Sequence, residues 1–267
     1  MLSSFAPKPL DFLPLSFKAL KKPPKFLHYV GELKHLQAPL KVAIVGTRKP
    51  STYTQQTTAA LARELVKIGA VVASGGALGV DIIAQKNALP ATIMFAPCAL
   101  TRIYPPSNAQ TIAQIAKEGL ILSEYDKDFQ PHGYTFLERN RLVIAFSDLV
   151  IIPEAQENSG SMASARLATE LRKPLFVLPQ RLFESPGTNA LLAGGFATAI
   201  YDIAAFVGGL ARDFGLNAPA PNAQEGFLEF CQKGPSFEEA YAVFGDLLLE
   251  QELLGVVKRE NGRVVVL

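Results

Sequence analysis

Two short stretches concentrate residues suited to holding an anion: Gly46-Thr47-Arg48-Lys49 and Asn158-Ser159-Gly160-Ser161. Each follows an apolar run, "KVAIV" and "DLVIIPEA", and leads into a helical pattern. In the second of them small residues leave backbone N–H groups open to a phosphate, and a helix N-terminus adds partial positive charge. Arg48 contributes a guanidinium that can engage phosphate through two parallel hydrogen bonds. The third such turn, Ser74-Gly75-Gly76-Ala77-Leu78-Gly79, is also built of small residues and follows the apolar run "AVVA". Any one glycine after a strand also serves simply to turn the chain, so the weight rests on three such turns meeting at one sheet edge.

A further chemical stretch is "YTFLERNRLVIAFS", Tyr134 to Ser147. Arg139, Asn140 and Arg141 interrupt an apolar helical run. Guanidiniums among valine and isoleucine are costly unless they meet a carboxylate or a phosphate. Two readings stay open: structural ion pairs with Glu124, Glu138 or Glu154, or contacts to an anionic ligand. Phe136 and Tyr134 lie just upstream, where an aromatic face beside cations suits base stacking or, equally, core packing.

The elements that must position these groups alternate along the chain. Strand-like runs "KVAIVG", "GAVVASGG", "ATIMFAP", "GLILSEY", "DLVIIPEA" and "PLFVLPQ" are separated by segments with apolar residues at three and four spacing. Continuous Val, Ile and Leu strands joined by helices imply a parallel sheet covered on both faces. The expected fold is an α/β, Rossmann-like, doubly wound and mostly parallel sheet over residues 39–210. In such sheets ligands sit beyond the carboxyl ends of the strands, where the three turns fall. Residues 1–38, rich in proline, read as an irregular lead-in packed on the main domain, and 211–224, containing "NAPAPNAQ", as a linker. Residues 225–267 show three short helical patterns and "VVKRENGRVVVL", whose Asn261-Gly262 signals a hairpin, so a winged-helix-like domain is expected.

Of 267 residues 49% are apolar and 19% charged, ordinary values for a globular protein. No apolar run reaches the roughly 18–20 residues of a membrane span, and the N-terminus lacks the clean apolar centre of a signal peptide. The expected location is cytoplasmic. Cys98 and Cys231 have no redox or metal spacing. The formal charge is +2, but residues 1–224 hold 22 Lys and Arg against 16 Asp and Glu, whereas residues 225–267 hold 4 against 8. A polyanion would therefore meet the larger part. NAD is disfavoured because the first turn lacks Gly-x-Gly-x-x-Gly and no acid ends the second strand; the ATP phosphate loop is missing too. His28, His35 and His132 lack metal spacing, and Ser159 and Ser161 have no nearby base. No catalytic residue, metal or cofactor is expected.

The ordered series "VAIVGTRKPSTY", "SGGALGVDIIAQKNAL", "IYPPSN", "FLERNRLVIAFSDLVIIPEA", "SGSMASARLA" and "LPQRLFESPGTNALLAGGFA" resembles the DNA-processing protein A (DprA, or Smf) family over Pro39 to Ala199, and the tail from Glu225 is similar to the winged-helix module of many members. The resemblance implies a homodimer that binds single-stranded DNA, protects it during natural transformation and loads the RecA recombinase. It maps the family's motifs onto Gly46 to Arg48, Ser74 to Asp81, Arg139 to Arg141 and Ser159 to Ser161. The implied DNA-binding set is Gly46, Thr47, Arg48, Lys49, Ser74, Gly75, Gly76, Phe136, Arg139, Asn140, Arg141, Ser159, Gly160, Ser161 and Lys173. Gln85, Gly76 and Gln180 depart from the pattern, and the N-terminal helical module of longer members is not expected in so short a lead-in. The acidic tail favours a protein partner over duplex DNA. The alternative is a nucleoside-monophosphate phosphoribohydrolase of the lysine-decarboxylase-like group, but "SGSMASARLATE" lacks that group's glycine pair and threonine.

Overall fold

The computed structural model describes residues 6–216 and 223–267. Chain contacts divide it into two compact units, Met1–Asn217 and Ala218–Leu267.

The larger unit is a nine-stranded sheet in the order β1-β2-β6-β5-β4-β3-β7-β8-β9. Its strands are β1 (Lys8–Pro9), β2 (His28–Gly31), β3 (Lys41–Ile44), β4 (Val71–Ser74), β5 (Thr92–Phe95), β6 (Leu120–Ser123), β7 (Leu149–Ile152), β8 (Leu175–Val177) and β9 (Thr198–Ala199). From β3 onward every pairing is parallel; β1 and β2 pair antiparallel. Helices α1 (Thr52–Lys67), α2 (Val80–Ala88), α3 (Ala109–Glu118), α4 (Gly133–Phe146), α5 (Gly160–Glu170), α6 (Pro186–Ala193) and α7 (Ile203–Asp213) complete it. This is the mostly parallel, Rossmann-like α/β fold. Every residue of β4, β5, β6 and β7 is buried, as continuous aliphatic runs require when helices cover both faces. Separate apolar cores lie on the two faces. Val42 and Ile44 of β3 meet Leu61 and Leu65 of α1, while the alternate residue Ala43 joins Phe95 and the apolar side of α4.

The lead-in is more regular than expected. Residues 28–31 form an antiparallel strand on β6, and Lys8–Pro9 adds to it. These pairings run through backbone groups on a sheet edge, so no period-two apolar pattern announces them. Phe17 is driven against Phe95 and Phe146, with ring centroids 6.3 Å away in each case. His35 is buried, its Nε2 3.2 Å from the Glu118 carbonyl oxygen, and burial lowers its pKa. Strand β9 and helix α6 are likewise additions to the sequence reading. Of the expected linker, residues 217–222 lie outside the described residues.

The smaller unit comprises α8 (Ala223–Gln232), α9 (Phe237–Phe244), α10 (Asp246–Leu253) and a hairpin of β10 (Val257–Glu260) with β11 (Arg263–Val266). Asn261 and Gly262 both have positive φ, 51° and 75°, the backbone a two-residue primed turn demands. Phe227, Cys231, Ala240, Leu248, Val257 and Val264 form its core. Among the described residues no helix is long and apolar enough to cross a membrane.

Candidate nucleic-acid interface

Strand order reverses at β3: the chain proceeds through β4 on one side and returns to β7 on the other. A parallel sheet opens a crevice at such a switch point, beyond the carboxyl ends of the strands. A cleft of about 360 Å³ occupies it here. Gly46, Thr47 and Arg48 leave β3, Ser159, Gly160 and Ser161 start α5, and Phe136, Leu137 and Asn140 face the cleft from α4.

The turn after β3 is tied down from two sides. The Thr47 N–H donates to the Glu154 carbonyl oxygen (3.0 Å), and the Val80 N–H donates to the Thr47 carbonyl oxygen (3.1 Å). Gly46 is needed because a Cβ there would come within 2.7 Å of the Val80 side chain. Ser51 caps α1, accepting from the Thr54 N–H. The buried Glu154 carboxylate accepts from both the N–H and the hydroxyl of Ser51, each at 3.0 Å. The N-terminus of α1 thus already holds an anion, one of the protein's own.

Arg48 turns outward. Its guanidinium lies 4.8 Å from the centroid of the Phe136 ring, and that ring packs against Tyr104 at 5.8 Å. Among the described residues Arg48 forms no ion pair, so its charge faces the cleft mouth. Lys49 beside it is exposed. Across the cleft, Ser159 caps α5 by accepting from the Met162 N–H (3.3 Å). Among the described residues the N–H groups of Gly160 and Ser161 and the Ser161 hydroxyl have no hydrogen-bond partner. These are orphan first-turn donors of an eleven-residue helix whose macrodipole favours an anion.

Several of the expected ligands make contacts within the fold. Arg139 is 1% exposed, and its Nη1 donates to the carbonyl oxygens of Gly75 and Phe95. Gly75 lacks a side chain because a Cβ would occupy the place of that guanidinium. Burial brings the Arg139 pKa down to about 10, opposed by the charge of Asp81. Burial also pushes the Asp81 carboxyl up, while Arg139 and the N–H groups of Ala77, Gly46 and Gly75 pull it back. Arg139 is therefore a clamp beneath the cleft, not a free cation. Ser74, Gly75 and Gly76 are buried as well, with the Ser74 hydroxyl donating to the Ile44 carbonyl oxygen (2.6 Å). Arg141 pairs with Glu124 at 2.5 Å, one of the two readings the sequence left open. Asn140 lines the cleft and donates to the Ser164 hydroxyl (3.1 Å). Lys173 precedes β8 and shares its surroundings with Lys41 and Asp148 at the starts of β3 and β7. It lies at the amino edge of the sheet, opposite the cleft. Tyr134 stands outside the cleft lining, 59% exposed and stacked on His132 at 5.5 Å. Tyr104 and Leu137 are the contributors the residue-by-residue reading missed. Tyr104 sits in a proline-rich loop, and Leu137 is an apolar residue left 52% exposed on α4. Among the described residues no three His, Cys, Asp or Glu side chains gather as metal ligands.

The family model for DNA recombination-mediator protein A matches residues 10–210. The chain belongs to the DNA recombination-mediator protein A family. It is 38% identical over 166 residues to protein Smf of Synechocystis, covering 60% of this chain and 42% of that protein. To DNA processing protein DprA of Bacillus subtilis it is 30% identical over 194 residues, covering 69% and 65%. The chain thus spans about half the length of the curated relatives it matches. Among solved structures of this family, one presents the single-stranded DNA binding mode of DNA processing protein A from Helicobacter pylori. It is 60% identical with a TM-score of 0.78, covering 80% of this chain and 99% of that one. DprA of Streptococcus pneumoniae is 30% identical with a TM-score of 0.68, covering 73% and 71%.

Proposed function

We propose that this chain is a non-catalytic single-stranded DNA-binding protein that protects incoming strands in natural transformation and loads the RecA recombinase onto them in the cytoplasm. The observation that carries the reading is the pairing, across one cleft, of Arg48 over the Phe136 ring with the open N-terminus of α5. A base stacks against Phe136 while its phosphates meet Arg48, Lys49 and the N–H groups of Gly160 and Ser161. Only an unpaired strand can turn its bases into such a cleft, so selectivity against duplex follows. Gripping without cutting is the reading that a donor set of one guanidinium, one ammonium and helix N-terminal N–H groups supports. A homodimer, and a winged-helix-like C-terminal unit that contacts protein, complete the proposal; that unit's excess of carboxylates opposes a polyanion.

Titration of a labelled oligonucleotide, single-stranded against duplex, across a salt series tests it. Two to three phosphate contacts correspond to a log–log salt slope of about −2 on a single strand. Arg48→Ala should weaken binding about ten- to hundredfold, the worth of a charge-assisted hydrogen bond, and leave thermal stability unchanged because the side chain is exposed. A flat salt response, or equal affinity for duplex, would sink the reading.

A further inference from the structure

The cleft does not end at α5. It shares Leu137, Asn140 and Gly160 with a small cavity of about 40 Å³ between α4 and α5. That cavity in turn shares Arg141 and Leu167 with a third, of about 370 Å³, lined on its far side by Lys21 and Lys22 of the N-terminal segment. Through these shared walls the three hollows line up as a furrow from the cleft, along the seam between two helices, to the lysine-rich stretch "KALKKPPK".

Its chemistry runs from apolar to cationic. Leu137 and Leu167 offer apolar surface along the seam, Lys21 and Lys22 are exposed at its end, and Lys18 and Lys25, close by in sequence, are exposed too. The carboxylates facing this path are Glu124, already paired with Arg141, and Glu170, which meets Lys21 at 3.3 Å. The Lys21 and Glu170 side chains are 90% and 56% exposed, so that pair is weak and easily exchanged. Among the described residues Lys18, Lys22 and Lys25 form no ion pair. Apolar surface for bases flanked by cations for phosphates is the arrangement by which proteins carry a single strand.

We propose that this furrow is a second DNA subsite, carrying the nucleotides that leave the cleft across Leu137 and Leu167 to phosphate contacts on Lys21 and Lys22. It rests on the single-stranded DNA reading of the cleft and extends it. The two lysines sit outside the cleft, so oligonucleotide length separates the two ideas. The test compares wild type with the double variant Lys21→Ala/Lys22→Ala on oligothymidines of about six and about twenty nucleotides, the shorter sized to the cleft. The variant should bind the longer strand about tenfold more weakly, with a salt slope shallower by about 1.4, or 0.7 for each lost phosphate contact. Its affinity for the shorter strand should match wild type. Unchanged affinity and slope on the longer strand would overturn the furrow alone. Equal loss on both lengths would also overturn it, because the lysines would then act on the cleft itself. A wild type that bound neither strand would overturn the cleft reading and the furrow together.

Discussion

The turns after β3, β4 and β7 each place glycine at the carboxyl end of a strand or the start of a helix, and the molecule treats them in opposite ways. The first two are filled from within. Glu154 occupies the N-terminus of α1 through Ser51, and the Arg139 guanidinium plugs the space above Gly75 while Asp81 accepts from the Gly75 N–H (3.2 Å). In the turn after β7 no such side chain of the described residues intervenes, and Gly160 and Ser161 face the cleft. An anion-binding turn is therefore defined less by its own residues than by whether the rest of the fold has already supplied the anion. The filled turns make a rigid frame, and the open one is where a ligand can act. Arg48 and Arg139 show the same division in one residue type, the first stacked on Phe136 at the mouth and the second sealed beneath it.

The largest way to break this contrast is to remove the buried plug. Arg139→Met leaves the Gly75 and Phe95 carbonyl oxygens without their donor and Asp81 without its nearby cation. Loss of one partner from such a buried charged cluster costs about 3–5 kcal/mol. The measurement is urea unfolding, and DNA affinity should fall only as far as the folded fraction does. A variant of wild-type stability that lost DNA affinity would instead make Arg139 a direct ligand, and the division between filled and open turns would fail.

How far the sequence could be read follows the same line. Aliphatic strand runs and helix periodicity are local patterns, and they placed β3 to β8 and α1 to α5 where the structure has them. Gly46, Thr47, Arg48, Ser159, Gly160 and Ser161 come together because position at the carboxyl end of a strand is legible once the strands are. The fate of Arg139 was not legible, because its partners are backbone carbonyls, which every residue possesses. The role of Glu154 depends on β7 lying beside β3, a fact of strand order that no local pattern contains. Lys173 is a different case. Its place before a strand already assigned it to the amino edge, since parallel strands all start on one side. The antiparallel additions β1 and β2 escaped because edge pairing through the backbone leaves almost no side-chain signature.

A smaller effect sharpens the contrast without destroying the fold. Glu154→Gln keeps an oxygen for the Ser51 N–H but removes the charge that the loop after β7 sets at the N-terminus of α1, close in sequence to Arg48. Losing a carboxylate from a helix N-terminus costs about 0.3–1 kcal/mol, up to about 2 where it is partly buried. The same change leaves a neighbouring phosphate with one fewer like charge to repel it. Stability should drop slightly in urea unfolding while oligonucleotide affinity rises severalfold, most visibly at low salt where charges are least screened. Affinity falling in step with stability would show that Glu154 supports the ligand site rather than competes with it.

The smallest expected effect concerns the opposite edge. Lys173 is half-buried near Asp148 and Lys41, and burial lowers its pKa. It lies just before β8, so the length of the sheet separates it from the Arg48 and Ser161 end. Across such a distance salt at about 0.15 M, with a Debye length of about 8 Å, screens most of a single charge. Lys173→Ala should leave both affinity and salt slope at wild-type values, with a stability change of about 0.5 kcal/mol or less, as for substitutions remote from core and caps. A tenfold loss of affinity would mean that the strand reaches the amino edge, and the open turn after β7 would no longer mark where the DNA is held.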